Sequence, residues 1–448
     1  MAHSFGPTLK EMPDMRARTP RSAAAILAAV VAVATAACSG SDSDGSPSAA
    51  PEIKIGVLVP LTGPTKAAGE DALRGALLAA EIINEPTRTV PLPLAAFSGL
   101  PNMGGAKIRL IRSDTKGDAV RASEELGRLV SQEGVVALIG CYDAGVTLAA
   151  SQRAERIQVP FMNGDASAGY LTERGLDWFF RVGPTDRMYG EGFFSVLKYQ
   201  QSQGKAARKV VVFHADDKSG NAVAADTAEL AEEGGFQMVA RVPFDPRADD
   251  LDSPAQQVKA ASPDAVFVVA STVESAGEVV ESFRRINYTP PAIMGFGPGF
   301  SDRSFADRAG PDAVGLLQES AWSSDLASRN PAAKAVKDLF AKKYNSQMSD
   351  VSAGSFTAVM TIAQAIDIAG SVEPDRIRSA LLGIDIPGRD TIVPWNGIRF
   401  DETNQNSGAN GIVEQVVRRG DKIANQVVYP PDVAKGAKLI WPMADAQR

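Results

Sequence analysis

Residues 53–84 read IKIGVLVPLTGPTKAAGEDALRGALLAAEIIN, and the pattern of that stretch decides the fold. Ile53 to Val59 is a β-rich apolar run. Pro60 closes it, because proline has no N–H to give a strand ladder. Thr62-Gly63-Pro64 makes the turn. Leu73, Leu77, Ala80 and Ile83 then recur at spacings of four and three, one face of a helix. A short apolar strand, a tight turn and an amphipathic helix form a βα unit.

The unit repeats along the chain. Ile108–Ile111, Val135–Ile139 and Val159–Phe161 read as strands, with helices near Ala122–Val130 and Val146–Arg156. A break falls at Phe180-Arg181-Val182-Gly183-Pro184-Thr185-Asp186, after which the cycle restarts. Val210–Phe213, Met238–Val242, Ala265–Ala270, Ala292–Gly295 and Gly315–Glu319 are the strands of the second round. Its helices lie near Gly190–Gln203, Val223–Glu233, Pro254–Ala261 and Gly277–Ile286. Two rounds of βα units predict an α/β chain of two Rossmann-like, doubly wound lobes. Helices at Pro331–Tyr344, Ser355–Ala369 and Pro374–Leu382 follow both rounds, so the chain is expected to cross back to the first lobe. β-like stretches at Ile398–Phe400, Ile412–Arg418 and Ile423–Tyr429 close it, with a hairpin turn at Asp421-Lys422, with or without Gly420. The expected lobes are residues 52–184 with 325–388, and 185–324 with 389–442.

The N-terminal segment has a different logic. Arg16, Arg18 and Arg21 precede an apolar run from Ala23 to Ala37, which ends in Thr35-Ala36-Ala37-Cys38. Basic residues, a short apolar stretch and small residues before a cleavage point make a secretory signal, and the run is shorter than a permanent span. Cys38 after Ala-Ala resembles a bacterial lipobox, in which that cysteine is acylated; Thr35 stands where leucine is usual. Residues 1–37 are thus expected to be a lipoprotein signal peptide, with Met15 an alternative start. Residues 38–51 are expected to be a flexible tether, since SGSDSDGSPSAAP cannot bury a core. The globular part would work outside the cytoplasm, lipid-anchored to the cell membrane.

Composition narrows the function. The 448 residues carry a net charge of −7. Residues 1–37 hold four basic and two acidic side chains, so the remainder stands near −9. An acidic body argues against nucleic acid as a partner. With Cys38 lipidated, Cys141 has no disulfide partner and reads as a core residue. His214, the one histidine besides His3, follows Val210–Phe213 and reads as a capping or surface residue. No GxSxG, HExxH, CxxC or GxxxxGK[ST] occurs. Gly295, Gly297 and Gly299 do not make a GxGxxG, and Pro298 interrupts them. No metal or cofactor is expected.

Three loops at strand C-termini are rich in small and hydroxyl residues. They are Cys141–Gly145, Asn163–Ser167 and Ser271–Glu274. Ligands of doubly wound sheets bind at that end. Small residues before a helix let backbone N–H groups reach an anion; ordinary helix capping is the better reading of each loop alone, and three at corresponding strand ends in two lobes shift the balance toward a cleft.

The quoted opening, IRLIRSDTKGDAVRASEELGRLV at 108–130 and VPFMNGDASAGYLTERG at 159–175 are similar to the type I periplasmic solute-binding proteins. They are nearest the branched-chain amino-acid-binding lipoproteins of ABC importers. The resemblance spans Ile53 to about Pro442. It implies two lobes joined by three hinge strands, with the ligand trapped between them. In amino-acid binders of the family an Ala-Ser/Thr step holds the ligand carboxylate, and Ala166-Ser167 keeps that step. Where the family has serine after Gly140 this chain has Asp143, Ala144 and Gly145. Ala68 and Ser219 stand where aromatic residues are common, which implies a roomier pocket or a bulkier solute. The family's acid that pairs with an α-ammonium would fall near Pro298 and is absent as such here; Glu274 or Asp143 would substitute. Thr272 and Phe296 complete the expected contacts. The implied function is capture of a small polar solute, an amino acid or related compound, by a monomer that closes on it and delivers it to an ABC permease. A sensor of the same fold and an extracellular α/β enzyme are the alternatives.

Overall fold

A computed structural model describes residues 51–302, 304–434 and 436–445. The expected signal peptide, the tether, His3 and Cys38 lie outside the described residues. The first round of βα units comprises β1 (Glu52–Val59), α1 (Lys66–Asn84), β2 (Lys107–Asp114), α2 (Ala119–Arg128), β3 (Ala137–Gly140), α3 (Ala144–Ile157), β4 (Phe161–Asn163) and β5 (Phe179–Arg181). Its strands form one parallel sheet in the order β2-β1-β3-β4-β5. The stretch read as a break therefore begins inside a strand. Phe179 to Arg181 pair with Phe161 to Asn163 and only then does the chain leave the sheet.

The second round comprises α4 (Asp186–Ser202), β6 (Lys209–Ala215), α5 (Lys218–Gly234), β7 (Gln237–Phe244), α6 (Asp252–Ala260), β8 (Ala265–Val269), α7 (Val273–Arg285), β9 (Ile293–Phe296), α8 (Pro298–Ser301), α9 (Ser304–Ala309) and β10 (Leu317–Ser320). Three helices follow, α10 (Pro331–Tyr344), α11 (Asp350–Ala369) and α12 (Pro374–Leu382). Then come the short pair β11 (Ile386–Pro387) and β12 (Gly397–Ile398), the hairpin β13 (Ile412–Arg419) and β14 (Lys422–Tyr429), and α13 (Pro431–Ala434). The second sheet has the order β14-β13-β10-β9-β8-β6-β7, with β13 antiparallel to both its neighbours. Arg419 pairs with Lys422, so the hairpin turn is Gly420-Asp421, and Lys422 belongs to the strand. Two sheets with separate strand orders make two lobes.

Packing explains the patterns. β8 reads AVFVV and is buried throughout, as a parallel strand covered on both faces must be. Helix α1 packs against both its sheet and α11, so its buried face is wider than a single stripe. Leu77, expected on the buried face, is 40% exposed, and the charged side chains of Lys66, Glu70 and Arg74 are exposed as well. Helix α11 is, among the described residues, the one helix long and apolar enough to cross a membrane, and it is buried as core. His214 is not a surface residue: it is buried in β6, with Nδ1 3.0 Å from the Ala215 carbonyl oxygen. Cys141 is a free cysteine in the core, where burial pushes its thiol pKa up.

Two close approaches fix the floor of the first lobe. A Cβ on Gly140, whose φ is +117°, would lie 2.1 Å from the Leu58 carbonyl oxygen, so only glycine fits where β3 ends beside β1. Gly164, after β4, and Gly354, in the first turns of α11, touch backbone to backbone; a Cβ on Gly164 would stand 2.6 Å from the Gly354 carbonyl. That contact brings the N-terminus of α11 against the Asp165 loop, where Ser355 Oγ donates to Asp165 Oδ2 at 3.2 Å.

Candidate functional site

Each sheet has one point at which the chain reverses its direction of travel across the strands, between β1 and β3 in the first and between β6 and β8 in the second. Loops leaving neighbouring strands at such a point diverge and open a crevice at the strands' C-terminal ends. Here the crevices of both lobes open into one cleft of about 710 Å³.

Most of the sequence-predicted residues line it. Ala68 contributes from the start of α1, Asp143, Ala144 and Gly145 from the start of α3, and Ala166 and Ser167 from the loop after β4. Ser219 at the start of α5, with Thr272 and Glu274 at the start of α7, come from the second sheet. Phe296 is not brought to the cleft. It is 1% exposed and packs edge-on against Phe193, ring centroids 4.9 Å apart, because its position on β9 turns the side chain into the core.

The polar groups of these loops are largely committed. Asp143 caps α3, accepting from the Gly145 and Val146 N–H groups at 2.7 and 3.2 Å. Thr272 caps α7 by accepting from Ser275 N–H at 3.1 Å, and Asp217 caps α5 by accepting from Gly220 N–H at 2.8 Å. Capping thus absorbs donors that could have met an anion. The Ser167 hydroxyl hydrogen-bonds the carboxyl of Asp186, the first residue of α4. The loop itself hangs on Arg181, which is fully buried. Its guanidinium donates to the Ala166 and Ala168 carbonyls at 3.1 and 2.7 Å, to Thr172 Oγ1 at 3.0 Å and to Gln405 Oε1 at 2.5 Å. Burial lowers its pKa to about 10, which leaves it charged at neutral pH.

The cleft is acidic. Asp143, Asp165, Asp186, Glu274 and Asp302 line it, and no Lys, Arg or His does among the described residues. Deeper, a chamber of about 60 Å³ is bounded by Tyr142, Asp165, Tyr189, Glu319 and Asp350. Burial holds Asp165 well above the usual carboxylate range, and the charge of Asp350 adds to the effect. Burial does the same to Glu319, reinforced by Asp186 and partly offset by a hydrogen bond from Gly297 N–H. That bond also uses an amide of the Gly295–Gly299 run within the protein. Tyr142 and Asp165 fall in the two loops expected to line the cleft, although neither was singled out as a contact; Asp186, Glu319 and Asp350 escaped the sequence reading. Among the described residues no group of three His, Cys, Asp or Glu side chains could hold a metal ion.

A two-lobed α/β fold with a cleft at facing switch points defines a receptor for a small solute. A sequence profile of the periplasmic binding proteins matches residues 52–420. The chain belongs to that family. It is a solute-binding protein and not an enzyme, and its family works outside the cytoplasm. It is 28% identical over 380 residues to Leu/Ile/Val-binding protein homolog 7 of Brucella suis, covering 82% of this chain and 89% of the relative. Among solved structures it is similar to the branched-chain amino acid transporter substrate-binding protein LivJ of Streptococcus pneumoniae in complex with isoleucine. That match is 25% identical, with a TM-score of 0.66 over 85% of this chain and 100% of the other. A solute-binding protein from Rhodopseudomonas palustris in complex with 3,4-dihydroxybenzoic acid shares the fold, at 20% identity and a TM-score of 0.67 over 84% and 96% of the two chains.

Proposed function

We propose that the protein is a lipid-anchored extracellular receptor that captures a small polar solute, an amino acid or a related compound, by closing its lobes, and hands it to an ABC permease. The observation that carries this reading is the 710 Å³ cleft lined from the strand C-termini of both sheets. The expected boundary at 388 would split the β11–β12 pair and part Gln405 from Arg181, so we take residues 52–184 with 325–411 as one lobe and 185–324 with 412–442 as the other; the packing of α11 on α1 also supports the first grouping. Three segments would act as the hinge, after β5, after β10 and before β13. Capture needs no covalent step. Ligand binding shifts the lobes to a closed form, and the permease would read that form. Similarity to Leu/Ile/Val-binding proteins and to LivJ supports an amino-acid-like solute.

A thermal-shift screen of amino acids, amides, amines, short peptides and carboxylates tests the reading. A bound solute at a hundredfold excess over Kd stabilises the folded state by about 2.7 kcal/mol. Small-angle scattering of the hit complex should show a smaller radius of gyration. No hit in the screen, or a hit with an unchanged scattering curve, would defeat capture by closure.

A further inference from the structure

Glu319 lies near the end of β10 and is 6% exposed. Its Oε1 accepts from Gly297 N–H at 2.9 Å, while its Oε2 has no hydrogen-bond partner. A buried acceptor without a donor is rare in folded proteins, because water has been removed and nothing replaces it. Glu319 is a wall of the 60 Å³ chamber at the bottom of the cleft. Asp165, Asp350, Tyr142 and Tyr189 form other parts of that wall. In the adjoining recess of about 220 Å³, Arg74 is the one basic lining residue among those described, set against Asp71, Asp302 and Asp350. An orphaned carboxylate oxygen, acidic neighbours and aromatic walls call for a donor that carries positive charge. The carboxyls do not converge as metal ligands. The chamber admits an ammonium and the methylene that bears it, while the rest of a solute would occupy the larger cleft.

We propose that the chamber seats a primary ammonium group on Glu319 Oε2, and that the captured solute is an amine with net positive charge. This deepens the receptor reading and rests on it. An incoming ammonium favours the ionised carboxylate, so binding should release a proton from the Glu319, Asp165 and Asp186 group.

Calorimetric titration of the full chain with 1,4-diaminobutane, L-ornithine and L-leucine is the test. Both cationic probes should bind at least about 30-fold more tightly than leucine, the scale of a desolvated charge pair. Glu319→Gln keeps the Oε1 acceptor for Gly297 and the side-chain volume. It should lose about 30-fold or more in affinity for the cations while melting no lower than wild type. If that variant does not fold, Asp350→Asn takes its place and should weaken the two cationic probes by a larger factor than it weakens leucine. Cation affinity unchanged in the folded variant overturns the proposal. Leucine binding as tightly as the cations, or another solute from the screen binding where none of these three does, also overturns it and leaves the receptor reading standing. A screen without any hit removes both.

Discussion

Ser167 and Asp186 are joined twice: the serine hydroxyl hydrogen-bonds the aspartate carboxyl, and Asp186 N–H donates to the Ser167 carbonyl at 2.9 Å. The pair ties the loop after β4 to the start of α4 and commits the one hydroxyl proton of Ser167 inside the protein. A serine that donates inward turns its lone pairs to the cleft, where a ligand donor can meet them. Ser167→Ala should lower the stability of the ligand-free protein by about 1–3 kcal/mol, because the buried Asp186 carboxyl loses a partner. Denaturant titration measures it. A change under about 0.5 kcal/mol would mean that the serine only lines the cleft.

Arg181 makes a second, larger demand. It is the sole donor shown to the Ala166 and Ala168 carbonyls among the described side chains, and it reaches Gln405 across 224 residues of sequence. Arg181→Met removes the charge and leaves these acceptors buried, at an expected cost of about 3–5 kcal/mol. Arg181→Lys should recover little of that, since one ammonium cannot reach four acceptors set out for a planar fork. Melting curves of the two variants should therefore lie close together and far below wild type.

Glu414, buried beside Asp325 and Asp350, predicts a pH dependence of stability. Burial raises its pKa from 4.5 to about 7, with hydrogen bonds from Ser323 and Gln318 partly offsetting the effect. The folded state then holds a proton that the unfolded state has lost. This contribution is fully present below pH 4.5 and disappears as pH rises through about 7, on the order of 3 kcal/mol in all. Glu414→Gln should flatten the stability profile across that window and raise stability at pH 8. A profile as steep as wild type would assign the slope to other groups.

Tyr170, after β4, meets α5 of the other sheet. Lys218 Nζ stands 4.0 Å from its ring centroid, and its hydroxyl hydrogen-bonds Ser219. An exposed cation–π contact contributes about 0.5–1 kcal/mol. Tyr170→Ala should therefore weaken ligand affinity roughly 2- to 5-fold by disfavouring closure, with faster ligand release in stopped-flow measurements. An unchanged release rate would show that the contact plays no part in closure.

Cys38→Ser tests the anchor. If Cys38 carries the lipid, the variant should appear in the medium or remain unprocessed, since two acyl chains anchor stably where one is marginal. Membrane fractionation reads the result. Normal processing with full membrane retention would defeat the lipoprotein reading.

The βα cycle was legible because each element carries its own period, as Pro331–Tyr344 and Pro374–Leu382 show with boundaries fixed by proline at the start. The cleft was legible as loops at strand ends, since topology alone puts them there. What the pattern hid were contacts between distant segments. Glu319 lies in the mostly polar strand Leu317–Ser320, and nothing in LQES tells whether the acid faces water or a closed chamber. Asp186 reads as an ordinary acid in a helix's first turn until Arg181 and Ser167 are seen around it. Phe296 looked like a ligand contact from its place at a strand end, yet side chains alternate along β9, and its turn faces Phe193.

The contact between Gly164 and Gly354 has a mechanical consequence. Two backbones with no side chain between them leave no slack, so the Asp165 loop and the head of α11 must travel as one piece. Whatever moves when a solute arrives, the spacing of Asp165 and Asp350 does not. This half of the receptor is a mould cast before the guest appears, and only the opposite half is a lid. Selectivity set by the mould should survive hinge substitutions that change how often the lid shuts, so the ranking of solutes and the strength of their capture can drift apart in evolution.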